Sequence, residues 1–93
     1  MSLSLADRGY LERFIDDMKN EQAVRFYELF KSKGASKDSI VWFCKGAIYG
    51  EFIGYFVTAH HSKMSISELS ELDDVVTRRT NEIADVLAEY YED

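Results

Sequence analysis

Residues 36–60 read Ser-Lys-Asp-Ser-Ile-Val-Trp-Phe-Cys-Lys-Gly-Ala-Ile-Tyr-Gly-Glu-Phe-Ile-Gly-Tyr-Phe-Val-Thr-Ala-His. No proline interrupts them, and Ser36 suits an N-cap because its hydroxyl can accept from an early helical N–H. The spacing predicts one helix from about Ser36 to His60. Its apolar residues go all the way round, from Ile40, Val41, Trp42 and Phe43 through Ile48, Phe52 and Ile53 to Phe56 and Val57. A helix apolar on every side is expected to be central and buried. A membrane span is the competing reading, but Lys45 and Glu51 lie about 120° apart round the helix. They cannot neutralise each other in lipid, so no membrane helix is expected.

Working outward, Ser4-x-x-Asp7 forms a capping-box-like start, and Leu11, Phe14, Ile15 and Met18 then share one face. The stripe of Ala23, Phe26, Tyr27 and Phe30 is rotated from it by about a quarter turn, so a first helix is expected to end near Asn20 and a second to begin there. Lys31-Ser32-Lys33-Gly34 should close the second helix, with cations on the last turn and glycine in the left-handed position. Ser65-x-x-Glu68 opens a last helix that runs toward Tyr91 with Leu69, Leu72, Val76, Ile83, Leu87 and Tyr90 in one stripe. The expected fold is therefore all-α, a four-helix bundle or paired helical hairpins, with helix 36–60 at the centre.

Composition agrees with one small helical domain over 1–93. The chain has 93 residues, 46% of them hydrophobic, no proline and five glycines. That is enough for a single core and removes the commonest helix breakers. Met1 to Ser4 also reads like an appended remnant and takes no part in the functional argument. The one cysteine, Cys44, lies in an apolar stretch, which excludes an internal disulfide and favours a small buried hydrophobe. With no basic, apolar leader at Met1 to Leu5, a cytoplasmic location is expected.

Three features bear on function. Gly46, Gly50, Gly54 and Thr58 recur every four residues and place a stripe of small side chains on a bulky helix. Each interior glycine costs about 1 kcal/mol of helix stability relative to alanine, so close backbone approach is the expected compensation. The stripe can pack on the last helix of the same chain, on the same helix of a second chain, or around a ligand.

The second feature is Leu29 to Phe43, which resembles a DNA-binding helix-turn-helix, with Gly34 as the turn glycine and Ser36 opening the recognition helix. Phe30 and Lys33 depart from the pattern. The resemblance implies nucleic-acid contacts from Lys31, Lys33, Ser36 and Lys37. Residues 20–65 carry a net charge of +2, but residues 66–93 carry −7 and the whole chain −6, which opposes a polyanion.

Third, Glu68-x-x-Glu71 and Glu82-x-x-Asp85 resemble the paired acidic motifs of the all-α nucleotide pyrophosphatases, which implies magnesium-dependent chemistry. On one continuous helix the four acids fall within about 100° of arc opposite the leucine stripe, the geometry of a solvated face. Glu51, with Tyr55 one turn on, is a possible pocket acid; His60 and His61, being adjacent, diverge and suit the end of the helix. No catalytic constellation, cofactor motif or metal-ligand spacing is found. The expectation is a small non-enzymatic interaction module, a homodimeric regulatory or accessory protein that also binds another protein. A nucleic-acid-binding regulator is the alternative, and a nucleotide hydrolase the third reading.

Overall fold

The computed structural model describes residues 3–91, and over them the chain is helical with no strand. Helix α1 spans Leu5–Asp17, α2 spans Ala23–Phe30, α3 spans Lys37–His60 and α4 spans Ile66–Tyr91. The molecule measures 45 × 20 × 19 Å.

The expected break near Asn20 is absent. Met18–Gln22 forms a π turn in which the Ala23 N–H reaches back to the Met18 carbonyl, and the backbone stays right-handed helical from Asp17 through Ala23. The extra residue in that turn advances the chain by about 100°. Leu11, Ile15 and Met18 before it and Ala23 after it consequently all lie buried in the same core. The quarter-turn offset between the two stripes is real, and an inserted residue absorbs it without a new helix.

Local chemistry sets the other boundaries. Gly34 adopts φ +76°, a conformation that costs a residue with Cβ, and its N–H donates to the Lys31 carbonyl at 3.1 Å. Ser36 Oγ accepts the Ser39 N–H at 3.1 Å and so opens α3. At the start of α4 the capping box is complete: Glu68 N–H donates to Ser65 Oγ at 3.1 Å, and Ser65 N–H donates to Glu68 Oε1 at 2.7 Å. His61 terminates α3 in the left-handed conformation, φ 54°, with its N–H on the Val57 carbonyl at 2.8 Å.

The fold therefore has three rods: α1 continued into α2, then α3, then α4. The core joins Leu11, Ile15 and Met18 to Ile48 and Phe52 of α3 and to Leu72, Val76, Ile83 and Leu87 of α4. Burial of a side chain such as Phe52 contributes roughly 1.5–3 kcal/mol. Leu69 and Tyr90, expected in the α4 stripe, are partly exposed at its two ends.

Two rods cannot enclose a third, and α3 is accordingly buried on one side only. Val41, Cys44, Ile48, Phe52 and Phe56 face inward, whereas Trp42, Phe43, Ile53 and Val57 are exposed. The expectation of an enclosed central helix fails because it counted one covering helix too many. By length and composition Lys37–His60 could cross a membrane, but a core helix passes the same test.

Leu3 and Ser4 are tied into the fold. Leu3 is buried, its N–H donates to Glu71 Oε1 at 2.8 Å, and Ser4 caps α1 through the Asp7 N–H. Met1 and Ser2 lie outside the described residues. An ionic clamp holds α1 to α4: Arg79 reaches Glu12 at 2.6 Å, Asp16 at 2.6 Å and Glu82 at 2.7 Å, and Lys19 adds a bond to Glu82.

Candidate functional site

The glycine stripe lies on the uncovered side of α3. A Cβ added at Gly46, Gly50 or Gly54 would meet nothing within 4 Å, so α4 of the same chain does not pack there. With Gly50 set at zero on a helical wheel, Gly46, Gly54, Phe43 and Val57 fall within about 40°, Ile53 at about 60° and Trp42 at about 80°. Val41, Cys44, Ile48, Phe52 and Phe56 lie at about 120° or beyond. The face opposite the core is thus glycine flanked by bulky apolar groups, and it carries no charge. Trp42 is 67% exposed, with Lys45 Nζ 4.8 Å from its ring centroid.

Where the face passes α1, a groove of about 540 Å³ opens between Phe14 and the α3 residues Glu51, Gly54, Tyr55, Thr58 and Ala59. The structure thereby brings together Glu51, Tyr55, Gly54 and Thr58, which sequence reasoning singled out separately. Glu51 is exposed at the groove's edge, as a carboxylate on an apolar helix must be unless it is paired or protonated. At the other end Phe43 leans on α2, its ring edge-on to Phe26 at 4.8 Å and Phe30 at 5.0 Å.

Beneath the groove is a cluster that the sequence did not disclose. Asp7 is 3% exposed and accepts a bond from the Tyr55 hydroxyl at 2.7 Å, while His60 Nε2 lies 3.0 Å from both its carboxylate oxygens. Burial works to raise the Asp7 pKa, but the bonds from His60, Tyr55 and Ser4 prevail and hold it below the ordinary value. Burial and the neighbouring Asp7 push the Tyr55 phenol up to about 12. These bonds staple the start of α1 to the end of α3. Asp7 looked like a capping residue because its partners are 48 and 53 positions away.

The remaining sequence candidates are engaged elsewhere. Lys31 bonds Glu28 at 2.8 Å and lies over the Tyr27 ring, the Ser36 hydroxyl is used as a cap, and Lys37 is half-buried; Lys33 is exposed. Past its first turn, the helix that follows Gly34 shows solvent an apolar surface in place of polar base-reading side chains. Glu68 caps α4, Glu71 binds Leu3 and Arg8, and Glu82 binds Arg79 and Lys19, so the acids do not converge. Among the described residues no group of three His, Cys, Asp or Glu side chains is placed to hold a metal ion. Cys44 is buried with its thiol pushed up to about 11 by desolvation, the opposite of a nucleophile's environment. Comparison with protein-family models, with curated proteins and with solved structures gave no match, so the surface of α3 has to be read on its own chemistry.

Proposed function

We propose that the protein is a small non-enzymatic helical interaction module of the cytoplasm, a homodimeric regulatory or accessory protein that works by covering the outward face of α3. The observation that carries this reading is the open glycine stripe. Three glycines in a 24-residue helix weaken it, and none of the described residues occupies the space they leave. Helix-to-helix contact is the arrangement that uses such space, because missing side chains let two axes approach closely. Exposed Trp42, Phe43, Ile53 and Val57 around the stripe supply apolar area for the contact. The exposed acids Asp74, Asp85 and Glu89 of α4 suit a basic protein partner.

Trp42 is the only tryptophan, so its emission reports on this face alone. In a dilution series followed by light scattering, emission should shift to the red as mass falls from dimer to monomer. Gly50→Leu should give the red-shifted, monomeric state at all concentrations. A chain that is monomeric throughout, with constant Trp42 emission, would refute the reading.

A further inference from the structure

We infer that the groove between α1 and α3 binds a small organic cation, an unbranched amine whose ammonium pairs with Glu51 and whose far end bonds to the Thr58 hydroxyl. This goes beyond the contact proposed above and does not need it, because the groove is formed within one chain.

The groove has the size of a small-molecule site, about 540 Å³, and two helices build it. Its walls are mostly apolar: the Phe14 ring stands on the α1 side, and Gly54, Ala59 and the Tyr55 ring on the α3 side. Phe14 and Tyr55 meet edge-on at 6.4 Å, and buried Asp7 holds the Tyr55 hydroxyl at 2.7 Å. These walls are therefore set before any ligand arrives, which lowers the cost of binding. Gly54 keeps the groove open, since a Cβ there would meet nothing within 4 Å.

Charge decides the kind of occupant. With the Tyr55 hydroxyl committed to Asp7, the polar side chains left in the lining are Glu51 and Thr58, and neither has a side-chain partner among the described residues. No lysine, arginine or histidine lines the groove. On the exposed flank of α1 beside Phe14, Arg13 and Asp17 are opposite in sign, and Arg13 is engaged over the Tyr10 ring at 5.0 Å from its centroid. The uncompensated charge at the groove is thus the Glu51 carboxylate, on a chain of net charge −6. An anion would meet repulsion, and a neutral apolar ligand would take water from Glu51 without replacing it. An ammonium gains a charge-assisted hydrogen bond there. Spacing then sets the length. Glu51 and Thr58 are seven residues apart on one flank of α3, about 10 Å along the axis, with Gly54 and Tyr55 between them. The ligand therefore has a thin apolar middle and a polar group at each end. A lysine side chain of a protein partner, with its four-carbon stem, is too short to reach both ends.

The test uses three unbranched probes of equal length that differ in charge at one end: aminohexanol, hexanediol and hydroxyhexanoate. Each is titrated into dilute, isotope-labelled protein, and the amide resonances of Gly54, Thr58 and Ala59 are followed by NMR. Aminohexanol should bind about fivefold more tightly than hexanediol or better, and hydroxyhexanoate should leave these amides unmoved. Equal affinities for the amine and the diol, or no shift with the amine at tens of millimolar, would overturn the site. Acetyl-lysine amide, the ammonium presented as a protein partner would present it, should bind about fivefold more weakly than aminohexanol; equal or tighter binding would overturn the assignment to a free amine. Glu51→Gln keeps the size of an exposed side chain and should erase the preference for the amine, and a preference that survives would overturn the role of Glu51. Gly54→Leu fills the groove from a position where an added Cβ meets nothing, so the chain should keep its folded amide spectrum and lose binding. Undiminished binding by the folded variant would overturn the groove as the place of binding.

Discussion

Gly50 and Phe52 stand two residues apart on α3 and have opposite surroundings. Phe52 is fully buried against α1 and α4, whereas a side chain added at Gly50 would point into open space. Both faces are apolar, so hydrophobicity does not separate them. Size does: the inward face holds Ile48, Phe52 and Phe56 in regular succession, and the outward face alternates aromatic and β-branched groups with glycine. A helix with neighbours on one side can use large side chains there to fill a core. Glycine on the other side serves no folding purpose within one chain, and it costs helix stability.

The largest expected effect tests that contrast directly. Phe52→Ala leaves a cavity among residues with no freedom to collapse, and should lower stability by about 3–5 kcal/mol in denaturant unfolding. Val57→Ala, on the outward face, should change the stability of the dilute protein by no more than about 0.5 kcal/mol. Comparable losses from the two would mean that the outward face is already covered within the monomer.

A second pair of regions sharpens the comparison, because the covered side of α1 is held by charge as well as by packing. Arg79 joins α4 to Glu12 and Asp16 of α1, and Arg79→Met should cost about 1–2 kcal/mol at neutral pH, allowing for solvent screening of the half-exposed acids. Hydrogen bonds from Arg79 and Lys19 hold Glu82 at about 2, below its ordinary 4.5. A carboxylate whose folded pKa is depressed stabilises the fold above its unfolded pKa and loses that contribution as pH falls through the folded one. Stability should therefore decline from about pH 4.5 towards pH 2, with Asp7 adding to the decline in the same direction. Arg79→Met should flatten this acid limb, and an unchanged slope in the variant would show that the clamp does not set it.

The features legible in sequence are those settled within a few residues. Gly34, Ser36 and the Ser65–Glu68 pair act as expected, because a cap or a left-handed turn depends on its neighbours alone. The quarter-turn offset after Met18 was legible as well, but a new helix and a π turn produce the same shift, and only packing of both stripes into one core distinguishes them. That ambiguity changed the number of rods. With three rods instead of four, an all-round apolar helix becomes half-exposed, so the exposure of Trp42 and Val57 could not be read from their own positions. The Asp7 cluster was illegible for a related reason: Tyr55 and His60 come to it only through the pairing of α1 with α3.

Gly50→Ala should have the smallest effect, and the most discriminating one. In dilute protein the added methyl meets nothing within 4 Å, so no overpacking opposes the gain in helix propensity. Unfolding free energy should then rise by about 0.5–1 kcal/mol. In the proposed dimer the same methyl would lie between the two α3 helices, and it should hold them apart and weaken association. The variant is thus expected to be more stable than the parent as a monomer and less prone to dimerise, so that plots of melting temperature against concentration for the two proteins cross. Overpacking inside the chain would instead make alanine destabilising at every concentration, and a face turned permanently to solvent would make it stabilising at every concentration. The crossing separates both of these from a contact between copies, and it follows from a single added carbon.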